Sequence, residues 1–426
     1  MALARIPRYS AQGLSLISFE TLSSPTNVEV IPFTAEDRGE SKGVLYPRGG
    51  EKPVVCLMPP RADMSRHYAI PYLLDGGYAA FGQESRWPSN DIACIHEMLL
   101  LDVAASLRYL REERGFERIV LIGNSGGGSL YAFYLAQAST APPDRLTTTP
   151  AGDPYDLNRF QLPGVDGMVF LAAHLGEGKF LEGAIDPSVT DEDDPLSCDP
   201  SLDMYHPANG FCEPPQPSAY SAEFITRYRA AQVQRVQRID AIARRYVDEQ
   251  RYFQEQIRQP DFDDQPLERR AFLSRRALVG RYMEIHRTEA HLAYTDPSIH
   301  PSARDYGSLW SPRPDLFNYL EAGFAKYQTP RAWLSTWSGQ SSRAAVLDNM
   351  AHLSLPTLVV NHTGDHAIYP QESEAVYQHS PADDKHLAHV DADHFGFPLA
   401  SQPDHGGRDA TMKVIVDWLR ERFPGR

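Results

Sequence analysis

The pentapeptide Gly123-Asn124-Ser125-Gly126-Gly127 sets a serine among glycines at a G-x-S-x-G spacing. It follows the apolar run 118–123 and precedes a helical stretch over 130–138, so the serine falls at a strand-to-helix turn. Glycines allow the sharp backbone turn that lifts a hydroxyl clear of a sheet. A helix starting there aims backbone N–H groups at charge developing on a substrate oxygen. A serine hydroxyl needs a base to become a nucleophile, and the base needs an acid to orient it. Two later segments offer them. Asn361-His362-Thr363-Gly364-Asp365 places a carboxylate in a glycine turn after the apolar run 356–360, and Asp391-Ala392-Asp393-His394-Phe395-Gly396 places an imidazole in a loop after 387–390. Ser125, Asp365 and His394 therefore each stand where a strand ends, in the chain order nucleophile, acid, base.

Other residues compete for these roles. Residues 350–426 carry eight of the chain's fifteen histidines, yet their spacings match no zinc motif, and no metal site is predicted. His386 and His389 fall before or within a strand, and His405 lies well into the next loop. Asp391 and Asp393 flank His394 too closely in sequence to reach its Nδ1 easily. His174, after the strand that precedes residue 176, either lines the site or packs.

Positioning such groups takes an alternation of strands and helices. Short strands are predicted at 14–21, 28–34, 43–46, 54–58, 78–82, 118–123 and 168–173, with an amphipathic helix from 95 to 114 carrying apolar residues at 95, 99, 103, 107 and 110. The alternation implies βαβ crossovers and a mostly parallel sheet. It breaks after about residue 177 into a proline-rich stretch (186–220), a long helix (221–258), further helical pieces and an aromatic segment. It returns near 355 with strands at 356–360 and 387–390, a helix at 372–379 and a closing helix at 410–423. The predicted organisation is an α/β core over 1–176 and 350–426, interrupted at 177–349 by a mainly helical cap or lid. The long helix carries eight arginines against five acids, which reads as a solvated, salt-bridged surface.

On the GNSGG elbow, Asp365 and His394, the chain resembles serine hydrolases of the α/β-hydrolase-fold superfamily over the core, roughly 250 residues. The resemblance implies an esterase-like enzyme with no cofactor, acting on a small molecule that bears an acyl group. It also implies an oxyanion hole built from the backbone N–H of Gly126 and of a residue after strand 54–58. Many members carry His-Gly there; this chain has Pro59-Pro60, and proline has no N–H to donate. Arg61 is in register for that role, and its side chain either meets an anionic substrate group or is solvated. In the cap, Trp310, Trp333 and Trp337 are candidate pocket residues or cap core. Cleavage of a carbon–carbon bond beside a ketone, thioester or lactone hydrolysis and acyl transfer all use the same triad. A non-catalytic binding protein on this fold is the alternative of another class.

Composition bounds the partners. With 426 residues, Lys+Arg 41 against Asp+Glu 56 gives a net charge of −15, which argues against nucleic acid. No apolar run reaches the roughly 18–20 residues that span a bilayer. The four dispersed cysteines and the lack of an apolar leader predict a cytoplasmic protein. A homo-oligomer is compatible with the sequence.

Overall fold

A computed structural model describes residues 22, 26–47, 49–50, 52–88 and 90–425. The strand expected at 14–21 lies outside the described residues. Eight strands form one sheet: β1 (Glu29–Thr34), β2 (Glu40–Tyr46), β3 (Pro53–Leu57), β4 (Ala79–Glu84), β5 (Arg118–Asn124), β6 (Gly167–Leu171), β9 (Thr357–His362) and β10 (Lys385–Val390). Their spatial order is β1-β2-β4-β3-β5-β6-β9-β10. The β1–β2 and β2–β4 pairs are antiparallel, and every pair from β4 through β10 is parallel. Six parallel neighbours bring the C-terminal ends of β5, β6, β9 and β10 to one edge.

The central strands are apolar on both faces, as a sheet covered on both sides requires. In β3, β5 and β6, alternate residues (Val54, Cys56, Ile119, Leu121, Met168, Phe170) enter one core. That core is shared with α2 (His96–Glu112) and α3 (Gly126–Ser139). The intervening residues (Val55, Leu57, Val120, Ile122, Val169, Leu171) enter a second core with α1 (Ala69–Asp75) and α11 (Gly407–Arg422). This two-residue period is what lets a single strand serve two layers. The sequence periodicity predicts neither α1 nor the four-residue extension of α3 from 130 back to Gly126, because Gly126-Gly127-Gly128-Ser129 carries no apolar pattern.

Between β6 and β9 the chain runs through α4 (Glu177–Ala184), α5 (Ala222–Gln256), α6 (Leu267–Leu278), the two-residue strands β7 (Met283–Glu284) and β8 (Tyr327–Gln328), and the short helices α7 (Pro314–Phe317) and α8 (Pro330–Ala332). It closes with one π-turn at Trp333–Trp337 and α9 (Val346–Met350). Helix α5 is capped by Ser221, whose hydroxyl accepts from the Phe224 N–H. Leu181, Val236, Ile239, Ala243, Trp333 and Trp337 belong to a separate core that also takes in Ala151 from the loop before β6. Ala344, Val346 and Met350 instead join the core shared by the sheet with α2 and α3. One expectation for α5 needs correction. Arg235 is buried, not solvated: it donates to Glu192 and to the Asp186 carbonyl, while Arg238 grips the same carboxylate from outside. After α9, helix α10 (Pro370–His379) connects β9 to β10.

Candidate active site

Ser125 sits between β5 and α3 with φ 53° and ψ −122°, a region that side-chain-bearing residues rarely occupy. The strain is held from several directions. The Ser125 N–H donates to the Leu171 carbonyl, and Asn124 Nδ2 donates to the same carbonyl at 3.0 Å. Asn124 Oδ1 lies 3.2 Å from His67 Nε2, while His67 Nδ1 accepts from the Ala69 N–H. With Nδ1 accepting, Nε2 carries the proton and donates to Asn124. Burial pushes the His67 pKa down to about 4, which keeps this ring neutral.

The glycines around the serine are needed for space. A Cβ on Gly123 would lie 2.6 Å from the Gly128 Cα, and one on Gly127 would lie 2.8 Å from the Met58 carbonyl oxygen. On Gly128 it would meet the Ala173 Cβ at 2.5 Å. Gly123→Ala is therefore expected to destabilise the fold by about 1–3 kcal/mol, the cost of overpacking where backbone rather than a mobile side chain blocks the way. A lower urea midpoint at unchanged slope checks this, and a midpoint equal to wild type would remove the close approach from the argument.

Asp365 and His394 follow β9 and β10, and their side chains meet: His394 Nδ1 lies 2.7 Å from Asp365 Oδ2. The other carboxylate oxygen accepts from the backbone N–H groups of Ala367 and Ile368, at 2.7 and 3.0 Å. Burial opposes the charge on Asp365, but His394 and these hydrogen bonds outweigh it and hold its pKa below the usual value. Burial likewise opposes the His394 cation, and the Asp365 charge and hydrogen bond overcome it, raising the His394 pKa above 6.5. With Nδ1–H donating to Asp365, Nε2 is the ring nitrogen able to accept a proton. Ser125 at the end of β5 shares the C-terminal sheet edge with both partners, β6 and β9 intervening between β5 and β10.

The competing residues are occupied elsewhere. Asp393 Oδ1 accepts from the N–H groups of Phe395 and Phe397, and Asp391 accepts from the Thr363 hydroxyl. His389 Nδ1 meets Asn361 Oδ1, and His386 sits with Asp384 and Arg422. His362 is buried against the Thr411 hydroxyl. Among the described residues no group of three or more His, Cys, Asp or Glu is placed to hold a metal ion.

The loop after β3 lies against the elbow, since a Cβ on Gly126 would come within 3.3 Å of Pro60 Cδ. Neither expectation for the Arg61 side chain fits its surroundings. It is not a solvated cation: Nη1 donates to Glu177 Oε1 at 2.5 Å, and the guanidinium lies over the Trp337 ring at 4.5 Å and near Phe324 at 5.5 Å. Nor is it an unpaired charge awaiting an anion. His174 is buried, with Nδ1 accepting from the Gly176 N–H and Nε2 3.7 Å from Glu177 Oε2. Glu177 escaped notice in the sequence, as an ordinary acid in the first turn of a helix.

The three tryptophans part company. Trp333 is wholly buried and its indole N–H donates to Asp240 at 2.7 Å, a packing position rather than the pocket position expected for it. Trp337 is also buried, beneath Arg61. Trp310 stays half-buried, stacked on Phe317 and 5.0 Å from Phe324. An open groove of about 370 Å³ bounded by the 148–152 loop, Arg244, Arg251 and Arg343 includes none of the triad residues.

Sheet order, a strained serine between β5 and α3, and an Asp–His pair after the parallel strands β9 and β10 define an α/β-hydrolase fold. No family model and no curated protein matches the chain. Similar solved structures include the Pyrococcus furiosus esterase Pf2001, with 12% identity, TM-score 0.43 and coverage of 98% of this chain and 96% of that one. Two more are the α/β hydrolase GrgF from Penicillium sp. sh18 (10%, TM-score 0.45, coverage 93% and 99%) and a Thermogutta terrifontis esterase (15%, TM-score 0.40, coverage 92% and 98%). Likeness this distant carries no argument about activity. No helix among the described residues is long and apolar enough to cross a membrane.

Proposed function

We propose that this chain is a serine hydrolase that cleaves a carboxylic ester or related acyl bond in a small molecule through an acyl-enzyme. The observation that carries the reading is the 2.7 Å contact between His394 and a buried Asp365, at the sheet edge where the strained Ser125 emerges. Ser125 Oγ attacks the carbonyl as His394 Nε2 takes its proton, and Asp365 holds the imidazole and stabilises its cation. The N–H groups of Gly126 and Arg61 receive the oxyanion. His394 returns the proton to the leaving group and then activates the water that releases the acid. No cofactor enters this scheme.

The segment from Glu177 to about residue 343 acts in this reading as the cap, shorter than the sequence boundary of 349 because Ala344 onward packs in the sheet's core. A cytoplasmic location belongs to the same proposal, supported by four unpaired cysteines. Labelling of the intact protein by a fluorophosphonate tests the activated serine. Turnover of p-nitrophenyl esters against vinylogous 1,5-diketones then separates ester from carbon–carbon cleavage, and labelling without turnover of either moves the search to thioesters and lactones. Absence of labelling in folded protein would favour the non-catalytic alternative.

The tryptophans allow a sharper test of the cap. Trp310→Ala, on the half-exposed ring, is expected to change relative kcat/KM for short and bulky acyl groups by roughly 1–3 kcal/mol. Trp333→Phe should leave that profile unchanged and lower stability by about 1–3 kcal/mol, since Asp240 loses a buried donor. The reverse pattern would exchange the two roles.

A further inference from the structure

The elbow carries a charge that an oxyanion hole should not tolerate. A Cβ on Gly126 would lie 2.3 Å from Glu177 Oε1, so this carboxylate oxygen rests on the residue whose N–H is assigned to the oxyanion. The Glu177 side chain is only 2% exposed. A fixed anion in a water-poor site opposes development of a second negative charge nearby, the inverse of the stabilisation that preorganised donors supply. Among the described residues the cation that answers it is Arg61, reaching across from the loop after β3 at 2.5 Å and pinned over Trp337.

The remaining neighbours do not supply that charge. His174 approaches Glu177 at 3.7 Å, but burial lowers its pKa. His96 on α2 is wholly buried with neither ring nitrogen hydrogen-bonded, and burial pushes its pKa down to about 4. The Cys94 thiol is driven up to about 12 by burial and stays neutral. Asp91 adds negative charge near Arg61.

We propose that the Arg61 side chain is a positioning residue that neutralises Glu177 beside the nucleophile, so that the Gly126 and Arg61 N–H groups face the oxyanion without an opposing charge. This rests on the serine-hydrolase reading and adds to it a condition on substrates. The pair is neutral as a unit, so the group bound next to the scissile carbonyl at this point is uncharged. Substrate anions gain nothing from Arg61.

The test compares Arg61→Met, which keeps the backbone N–H and the apolar contact with Trp337, with the double variant Arg61→Met/Glu177→Gln. The single variant should lose about 10²-fold in kcat with KM within about threefold, comparable to loss of one oxyanion donor. The double variant should recover at least about tenfold of that loss. Without Arg61, burial raises the Glu177 pKa, so the carboxyl is neutral at low pH and charged at high pH. The advantage of the double over the single variant should therefore grow as pH rises, a dependence that misfolding would not produce. Arg61→Gln provides the same comparison if Arg61→Met fails to accumulate. A single variant within about threefold of wild type, or a double variant no better than the single at any pH, overturns the proposal. Fluorophosphonate labelling of the wild-type protein is scored separately, so failure of the charge argument is distinguishable from failure of the serine-hydrolase reading.

Discussion

Ser125→Ala is expected to lower kcat/KM by about 10³-fold or more and to abolish fluorophosphonate labelling, with circular dichroism and urea midpoint at least equal to wild type. The size follows from the role. Without the hydroxyl no acyl-enzyme forms, and the residual rate comes from binding and the oxyanion donors alone. Stability should not fall, because the serine side chain serves reactivity and alanine adds no bulk. Alanine still occupies a φ of 53° with difficulty, as serine does, so the backbone strain is unchanged by the substitution. Activity within tenfold of wild type in folded protein would remove Ser125 from the mechanism.

The second large effect is expected at Asp365. In the wild type, His394 must be neutral to accept the serine proton, so kcat/KM should fall toward acid through one ionisation lying above pH 6.5, the direction in which Asp365 moves the imidazole. Asp365→Asn removes the charge that raises this pKa and leaves burial, which lowers it. The acid limb should accordingly move below pH 6.5 while the plateau drops by about 10³–10⁴-fold, since the amide no longer fixes the Nδ1–H tautomer. Both changes are read from one pH–rate profile with a fluorogenic ester. A plateau near wild type, or a limb that stays in place, would send the acid's role back to Asp393, whose present work is to accept two backbone N–H groups in its own loop.

What the sequence alone determined is what local chemistry governs. Glycines at 123, 126 and 127 around Ser125 report a backbone conformation, and apolar runs such as Val54–Leu57 and Leu358–Val360 report strands covered on both faces; each of these can be read within a dozen residues. The order Ser125, Asp365, His394 with each residue at a strand end was legible for the same reason, because a parallel sheet sends all its strand ends to one edge. The acid–base contact itself, at 2.7 Å across 29 residues, needed the register of β9 against β10. Charges and aromatic rings lay beyond the sequence. Arg61 and Glu177 are 116 residues apart, and neither carries a local pattern that distinguishes a surface ion from a buried partner. Trp333 and Trp310 share an aromatic-rich stretch, yet one donates into a closed core and the other stays half-buried against Phe317 and Phe324. Burial is a property of everything packed around a residue, and electrostatics in a dry interior depends on which distant charge arrives to answer it. Only the assembled tertiary structure decides those.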